Sequence, residues 1–101
     1  MNFEMTAASS HLKRLLERSP STAGMYVRVH GKNLIVGREE SFGGALEKVD
    51  RVRFTRVNQV RYELAVKRHT GRWERTPFGG PLEDVVNALQ GALPFLVAPL
   101  A

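Results

Sequence analysis

The sequence predicts an α+β fold: a mainly antiparallel five-stranded sheet (β-β, then β-β-β) with an N-terminal and a C-terminal helix, in two layers. Three patterns carry that expectation. Apolar residues recur at helical spacing near both ends, at Ala8, Leu12, Leu15 and Leu16 and again at Leu82, Val85, Val86, Leu89 and Leu93. Between them, apolar and polar residues alternate with the period of two that a half-buried strand requires. Gly, Asn and Pro fall between the alternating runs, where hairpin turns are needed. The 101 residues imply one domain over 1–101, long enough to bury a working core, and with no cysteine it must do so without disulfides.

The first helix is expected over about 6–18, capped by Thr6 or Ser9 and ended by Ser19-Pro20-Ser21-Thr22-Ala23-Gly24. That linker holds no apolar residue larger than Ala, which predicts a loosely docked helix. Strands follow at about 25–30 and 33–38. Met25, Val27 and Val29 alternate with Tyr26, Arg28 and His30, and Gly31-Lys32 suits a two-residue type II′ turn with Gly first.

The central strands are expected at about 51–56 and 60–68. One core-facing side requires Val52 and Phe54 to share a face with Val60, Tyr62, Leu64 and Val66. A three-residue loop, Val57-Asn58-Gln59, satisfies this by setting Phe54 opposite Tyr62, with Asn58 tolerating a left-handed conformation. A last strand is expected at about 72–76, ended by Pro77, which cannot donate to a ladder. A loop of two residues (Thr70-Gly71) or of four places Trp73 on the core face with Leu64 and Val66. The second helix is expected over about 81–93, with Pro81 in its first turn, Glu83 and Asp84 at the positive end of its dipole, and Pro94 as its stop.

An eight-residue phrase occurs twice, 36 residues apart: Phe42 to Val49 matches Phe78 to Val85 at six of eight positions. Each copy joins a Phe to two glycines and a Leu-Glu-x-Val run. The expectation is one structural device used twice: Phe42 and Phe78 buried, Gly43-Gly44 and Gly79-Gly80 forming corners, and a helix start after each. The first helix is short, about one and a half turns, because alternation resumes at Arg51-Val52. The alternative is an anion site built from free glycine amides at a helix N-terminus. Glu47 and Glu83 at those starts repel an anion, and Pro81 removes a donor.

The function classes narrow by elimination. His11, His30 and His69 lie in separate elements without metal-ligand spacing. No serine elbow, phosphate-binding loop or dinucleotide fingerprint is present. The expectation is a non-enzymatic protein with no cofactor and no metal. Residues 1–11 carry neither the basic nor the apolar segment of a signal peptide, and no apolar run reaches the roughly 20 residues of a membrane span. A cytoplasmic protein without membrane contact is therefore expected.

Charge is the positive signal. The net charge is +5, and Arg51, Arg53, Arg56, Arg61, Lys67, Arg68, Arg72 and Arg75 meet only Glu63 and Glu74 between residues 51 and 75. Arg51, Arg53, Arg61, Lys67 and Arg72 are expected on the sheet face away from the helices, joined by Tyr26 and Arg28, as a nucleic-acid-binding surface. The outline resembles strand-rich single-strand binders at the level of fold, without a shared motif. The plain alternative is a solvated face of cross-strand pairs, Arg53 or Arg61 with Glu63 and Arg72 with Glu74. A second functional reading is a protein-interaction or homodimerisation module without catalytic activity, using the sheet edge and the apolar tail Phe95, Leu96, Val97 and Leu100.

Overall fold

Helix α1 (Phe3–Leu16) leads into strands β1 (Tyr26–His30), β2 (Asn33–Phe42), β3 (Ala45–Arg56), β4 (Tyr62–Lys67) and β5 (Trp73–Gly80), then helix α2 (Leu82–Gly91) and a 3-10 turn (Pro94–Val97). These elements come from a computed structural model that describes residues 3–100. Met1 and Asn2, part of the segment read for a signal peptide, lie outside the described residues. The strands form one antiparallel meander in the order β1-β2-β3-β4-β5. Both helices cover the same face, as the amphipathic pattern requires. Leu34, Val36, Val52, Phe54 and Leu64 from the sheet pack with Leu12, Leu16, Val85, Val86 and Leu89 from the helices, all nearly inaccessible. Burial of each such side chain contributes about 1.5–3 kcal/mol. No helix among the described residues is long and apolar enough to cross a membrane.

The N-terminal helix is longer and better anchored than its sequence suggests. It begins at Phe3, so Thr6 and Ser9 lie inside it, and Met5 extends its buried stripe. The linker supplies a polar anchor where an apolar one is missing. Thr22 is fully buried, donates to the Leu16 carbonyl at 2.6 Å and accepts from the Gln90 amide at 2.9 Å. Gln90 also donates to the Leu15 carbonyl, so α1, the linker and α2 share one hydrogen-bonded junction. A satisfied polar group in that position fixes geometry more sharply than an extra alanine contact.

The first Phe-Gly-Gly phrase does not start a helix. Gly43 and Gly44 have φ of +57° and +88° and close the hairpin between Phe42 and Ala45. Two central residues with positive φ define the type I′ turn, whose twist matches that of the flanking strands. β2 and β3 therefore run to Phe42 and from Ala45, well past the expected limits of 38 and 51, and Glu47 is a strand residue. Phe42 stands 44% exposed at the hairpin tip, contrary to its expected burial. The second copy does precede a helix. Phe78 packs partly against the core, Gly80 has φ +141°, and Pro81 caps α2. The two phrases thus share residues and not conformation, because the first is flanked by two strands long enough to pair with each other.

Three hairpin details also differ from expectation. The central loop has three residues, as expected, but it is Asn58-Gln59-Val60, since Val57 pairs with Arg61. Phe54 accordingly faces Leu64 and Val52 faces Val66, and Val60 is 71% exposed. Asn58 acts through its side chain: Oδ1 accepts from the amides of Val60 and Arg61, both at 2.9 Å, and its φ is not positive. The β4–β5 loop also has three residues, His69-Thr70-Gly71, closed by Arg68 and Arg72, with Gly71 at φ +87°. One residue more or less than the even loops considered inverts every later side chain. Trp73 pairs with Lys67 and Arg75 with Ala65, so Trp73 lies on the face away from the helices and not in the core. Finally, β5 continues through Pro77 to Gly80. As an edge strand it needs no donor there, and a bulge carries the proline, with the Thr76 hydroxyl donating to the Leu64 carbonyl at 2.8 Å.

The C-terminal segment folds back on its own domain. Val97 is fully buried and Leu96 packs against the core, whereas Phe95 and Leu100 stay 67% and 56% exposed. Arg38 donates to the Val97 carbonyl at 2.6 Å, Arg51 to the Ala98 carbonyl at 2.5 Å, and Glu40 accepts from the Leu100 amide at 3.2 Å.

Candidate nucleic-acid interface

The face of the sheet away from the helices is built by alternation and register. One cross-strand row runs Arg28–Ile35–Arg53–Ala65–Arg75, and beside it Tyr26 lies opposite Gly37 and Asp50. Ile35 and Ala65 are only 5% and 3% exposed although no helix covers them. The long arginine side chains on either side of each in the row shield them, keeping their charged ends toward water.

Of the expected site residues, the structure brings Tyr26, Arg28, Arg53 and Lys67 together on this face. Arg61 joins them from the loop: a Cβ at Gly79 would come within 2.6 Å of its guanidinium, so Arg61 lies flat across β5. Arg51 does not join. β2 and β3 slip by one residue between Val36 and Gly37, so that Gly37 faces Asp50 and Arg51 is the extra residue of a bulge. Arg51 turns to the helix side, where it binds the Ala98 carbonyl and approaches Glu40 to 4.0 Å. Burial lowers its pKa, with Arg38 adding to the shift and Glu40 opposing it. Arg72 is exposed at the loop base, one residue out of phase with the face. Phe42, Gly43 and Gly44 stand at the tip of the β2–β3 hairpin, apart from this surface.

Two residues the sequence did not assign to the site organise it. Asp50 accepts from the Tyr26 hydroxyl at 2.6 Å and from Arg28 at 2.6 and 3.3 Å, with the Lys67 ammonium 3.9 Å away. Its partial burial alone would raise its pKa, but the bonds from Arg28 and Tyr26 and the charges of Arg28 and Lys67 hold the carboxyl below its usual range. The Tyr26 phenol is pushed up, by burial first and then by the Asp50 carboxylate. Trp73 is the second organiser. The Arg53 guanidinium lies 5.0 Å from its ring centroid and the Lys67 ammonium 5.7 Å, while Lys48 sits 5.6 Å over Tyr26. The signal for Trp73 was present in the sequence: a Gly in third place of three suits a type I turn closed by a left-handed residue.

The expected ion pairs do not form: Glu74 pairs instead with Arg68 at 2.9 Å, and Glu63 has no ion pair among the described residues. Arg61, Arg72 and Arg75 likewise have none; Arg53 and Lys48 also lack one but lie over the Trp73 and Tyr26 rings, so among the described residues the first three are the cations on or beside this face with neither kind of partner. Arg53 Nε is buried without a hydrogen-bond partner beside a small cavity of about 70 Å³ lined also by Thr55, Glu63 and Arg75. No cluster of three or more His, Asp or Glu side chains among the described residues is arranged to hold a metal ion.

Comparison of the chain with family models, with curated protein sequences and with solved structures finds no match.

Proposed function

We propose that the protein is a non-enzymatic binding domain that holds single-stranded nucleic acid on the open face of its sheet. The observation that supports this best is the position of Trp73. With Tyr26 it gives the face two aromatic rings at opposite edges of the sheet, interleaved with Arg28, Arg53 and Lys67. Single-strand binding combines cationic tracking of phosphates with aromatic stacking of bases, and stacking is worth about 1–3 kcal/mol per base. Arg61, Arg72 and Arg75 are the phosphate contacts in this reading, and a base displaces Lys67 or Arg53 from the Trp73 ring.

Trp73 is the only tryptophan of the chain, so its fluorescence reports directly on the site. Titration with a labelled oligothymidylate at about 50 mM salt is expected to quench it. Three phosphate contacts predict a slope of log K against log salt of about −2. Trp73→Ala should weaken binding by about tenfold, one stacked base. Unchanged fluorescence and no binding at high micromolar protein in low salt would remove the proposal.

A further inference from the structure

β3 is longer than its partner. It spans Ala45–Arg56, but β4 pairs only with Val52–Arg56. From Ala45 to Asp50, therefore, β3 has β2 on one side and no strand on the other, and no backbone hydrogen bond reaches these residues from any loop among the described residues. Six residues at about 3.3 Å each leave roughly 20 Å of open strand edge. Proteins usually cover such an edge or pair it.

A cavity of about 530 Å³ opens at the notch where β4 stops. It passes through the plane of the sheet. Val49, Leu96 and Leu100 line it on the helix side, and Lys48 and Lys67 on the open side, with Arg68 at its end. Among the described residues only one carboxylate, Asp50, shares this lining, and it is already held by Arg28 and Tyr26, while Arg68 is paired with Glu74. Phe95 and Leu100 add the exposed apolar surface that folding left uncovered.

We propose that this notch binds an extended acidic peptide, which pairs with Ala45–Asp50 as an added strand in the lane that β4 vacates. Strand addition supplies main-chain hydrogen bonds, and pockets for alternate side chains supply selectivity. The period of two then dictates the ligand: apolar side chains fall on Val49 and Leu100, and the carboxylates between them meet Lys48 and Lys67. One register of a second copy is closed: setting Lys48 against Asp50 of the copy also sets Glu47 of the copy against Arg51, a place that Lys67, next after the Val52 partner Val66, already fills.

The test is fluorescence anisotropy with a labelled nonapeptide alternating aspartate and valine. Binding is expected, with about tenfold loss in Lys48→Glu and again in Leu100→Asp, two exposed positions whose replacement leaves the fold intact. The same peptide N-methylated at every second amide should not bind. Three results overturn the proposal: equal binding of a lysine–valine peptide, indifference to both substitutions, or an oligonucleotide that binds Trp73→Ala undiminished and is lost with Lys48→Glu. A dimer by light scattering that Lys48→Glu dissociates overturns it too, by giving the edge to a second copy. None of these outcomes depends on whether the Trp73 face binds nucleic acid.

Discussion

Replacing Gly37 by Ala tests the geometry of the open face more sharply than any charge reversal. An added Cβ would lie 2.1 Å from the Val49 carbonyl oxygen and 2.3 Å from the Tyr26 hydroxyl, well inside any real contact. Val49 contributes a backbone atom inside a paired strand and cannot yield cheaply. The Tyr26 ring can swing away, but only by giving up its bond to Asp50. A hydrogen bond to a charged group is worth about 1.5–3 kcal/mol, and forcing extra volume into a packed site costs about 1–3 kcal/mol. The expected destabilisation is therefore about 3–5 kcal/mol. For a domain of about this size it lowers Tm by roughly 4–8 °C per kcal/mol. Urea unfolding followed by far-ultraviolet circular dichroism and by Trp73 fluorescence measures it. The double variant Tyr26→Ala/Gly37→Ala should recover at least about 1 kcal/mol relative to additivity, because the ring is one of the two obstacles. A single variant within about 0.5 kcal/mol of the natural protein would refute the reasoning, and strict additivity would refute the role given to Tyr26.

Two further predictions concern conformation and charge. Gly44 has φ +88° and open space around its Cβ position, so Gly44→Ala should cost about 1–2 kcal/mol from backbone strain alone, measured by urea unfolding. Gly91 also has open space but no positive φ, so Gly91→Ala in α2 should stabilise by about 0.5–1 kcal/mol; the same sign for both would sink the turn assignment. The Asp50 carboxyl titrates below its usual range in the fold, so its contribution is present above about pH 4 and is lost as pH falls through the folded value. Asp50→Asn should be less stable near neutrality and lose less on acidification. Tyr26 is shifted the opposite way, so its contribution is present below about pH 10 and lost above it, and Tyr26→Phe should flatten that alkaline limb of the stability profile.

Element type and order were legible in the sequence because the core pattern is strong: both amphipathic stripes and the Val52, Phe54 and Leu64 alternation lead straight to the observed two layers. Element ends were legible only where a breaker acted alone. Pro94 stops α2 within a few residues, whereas Pro77 ends nothing, because the same missing donor is harmless at a sheet edge. Gly43-Gly44 and Gly79-Gly80 illustrate the converse. Glycine permits positive φ without saying what the chain does next, and only the paired length of β2 and β3 turns the first pair into a hairpin.

The candidate site was less legible than the core, and for one physical reason. Which face a strand residue takes depends on parity, and parity is set by single residues in loops and bulges. The three-residue loop His69-Thr70-Gly71 moved Trp73 from the expected core to the open face, and the slip opposite Gly37 moved Arg51 from the open face to the helix side. A buried tryptophan would have resisted such an error, since core volume restricts its place. Trp73 is instead held by Arg53 and Lys67, contacts that the alternation of apolar and polar residues does not encode. The same bulge presents the Asp50 carboxylate to Tyr26 and Arg28 and hands Arg51 to the C-terminal segment. It therefore couples the open face to the C-terminal segment, whose Leu96 and Leu100 line the notch. Moving the slip by one residue would separate Asp50 from its partners and break the Arg51 bond to the tail in a single change, so Gly37, the residue that permits the slip, is where both proposed surfaces are set.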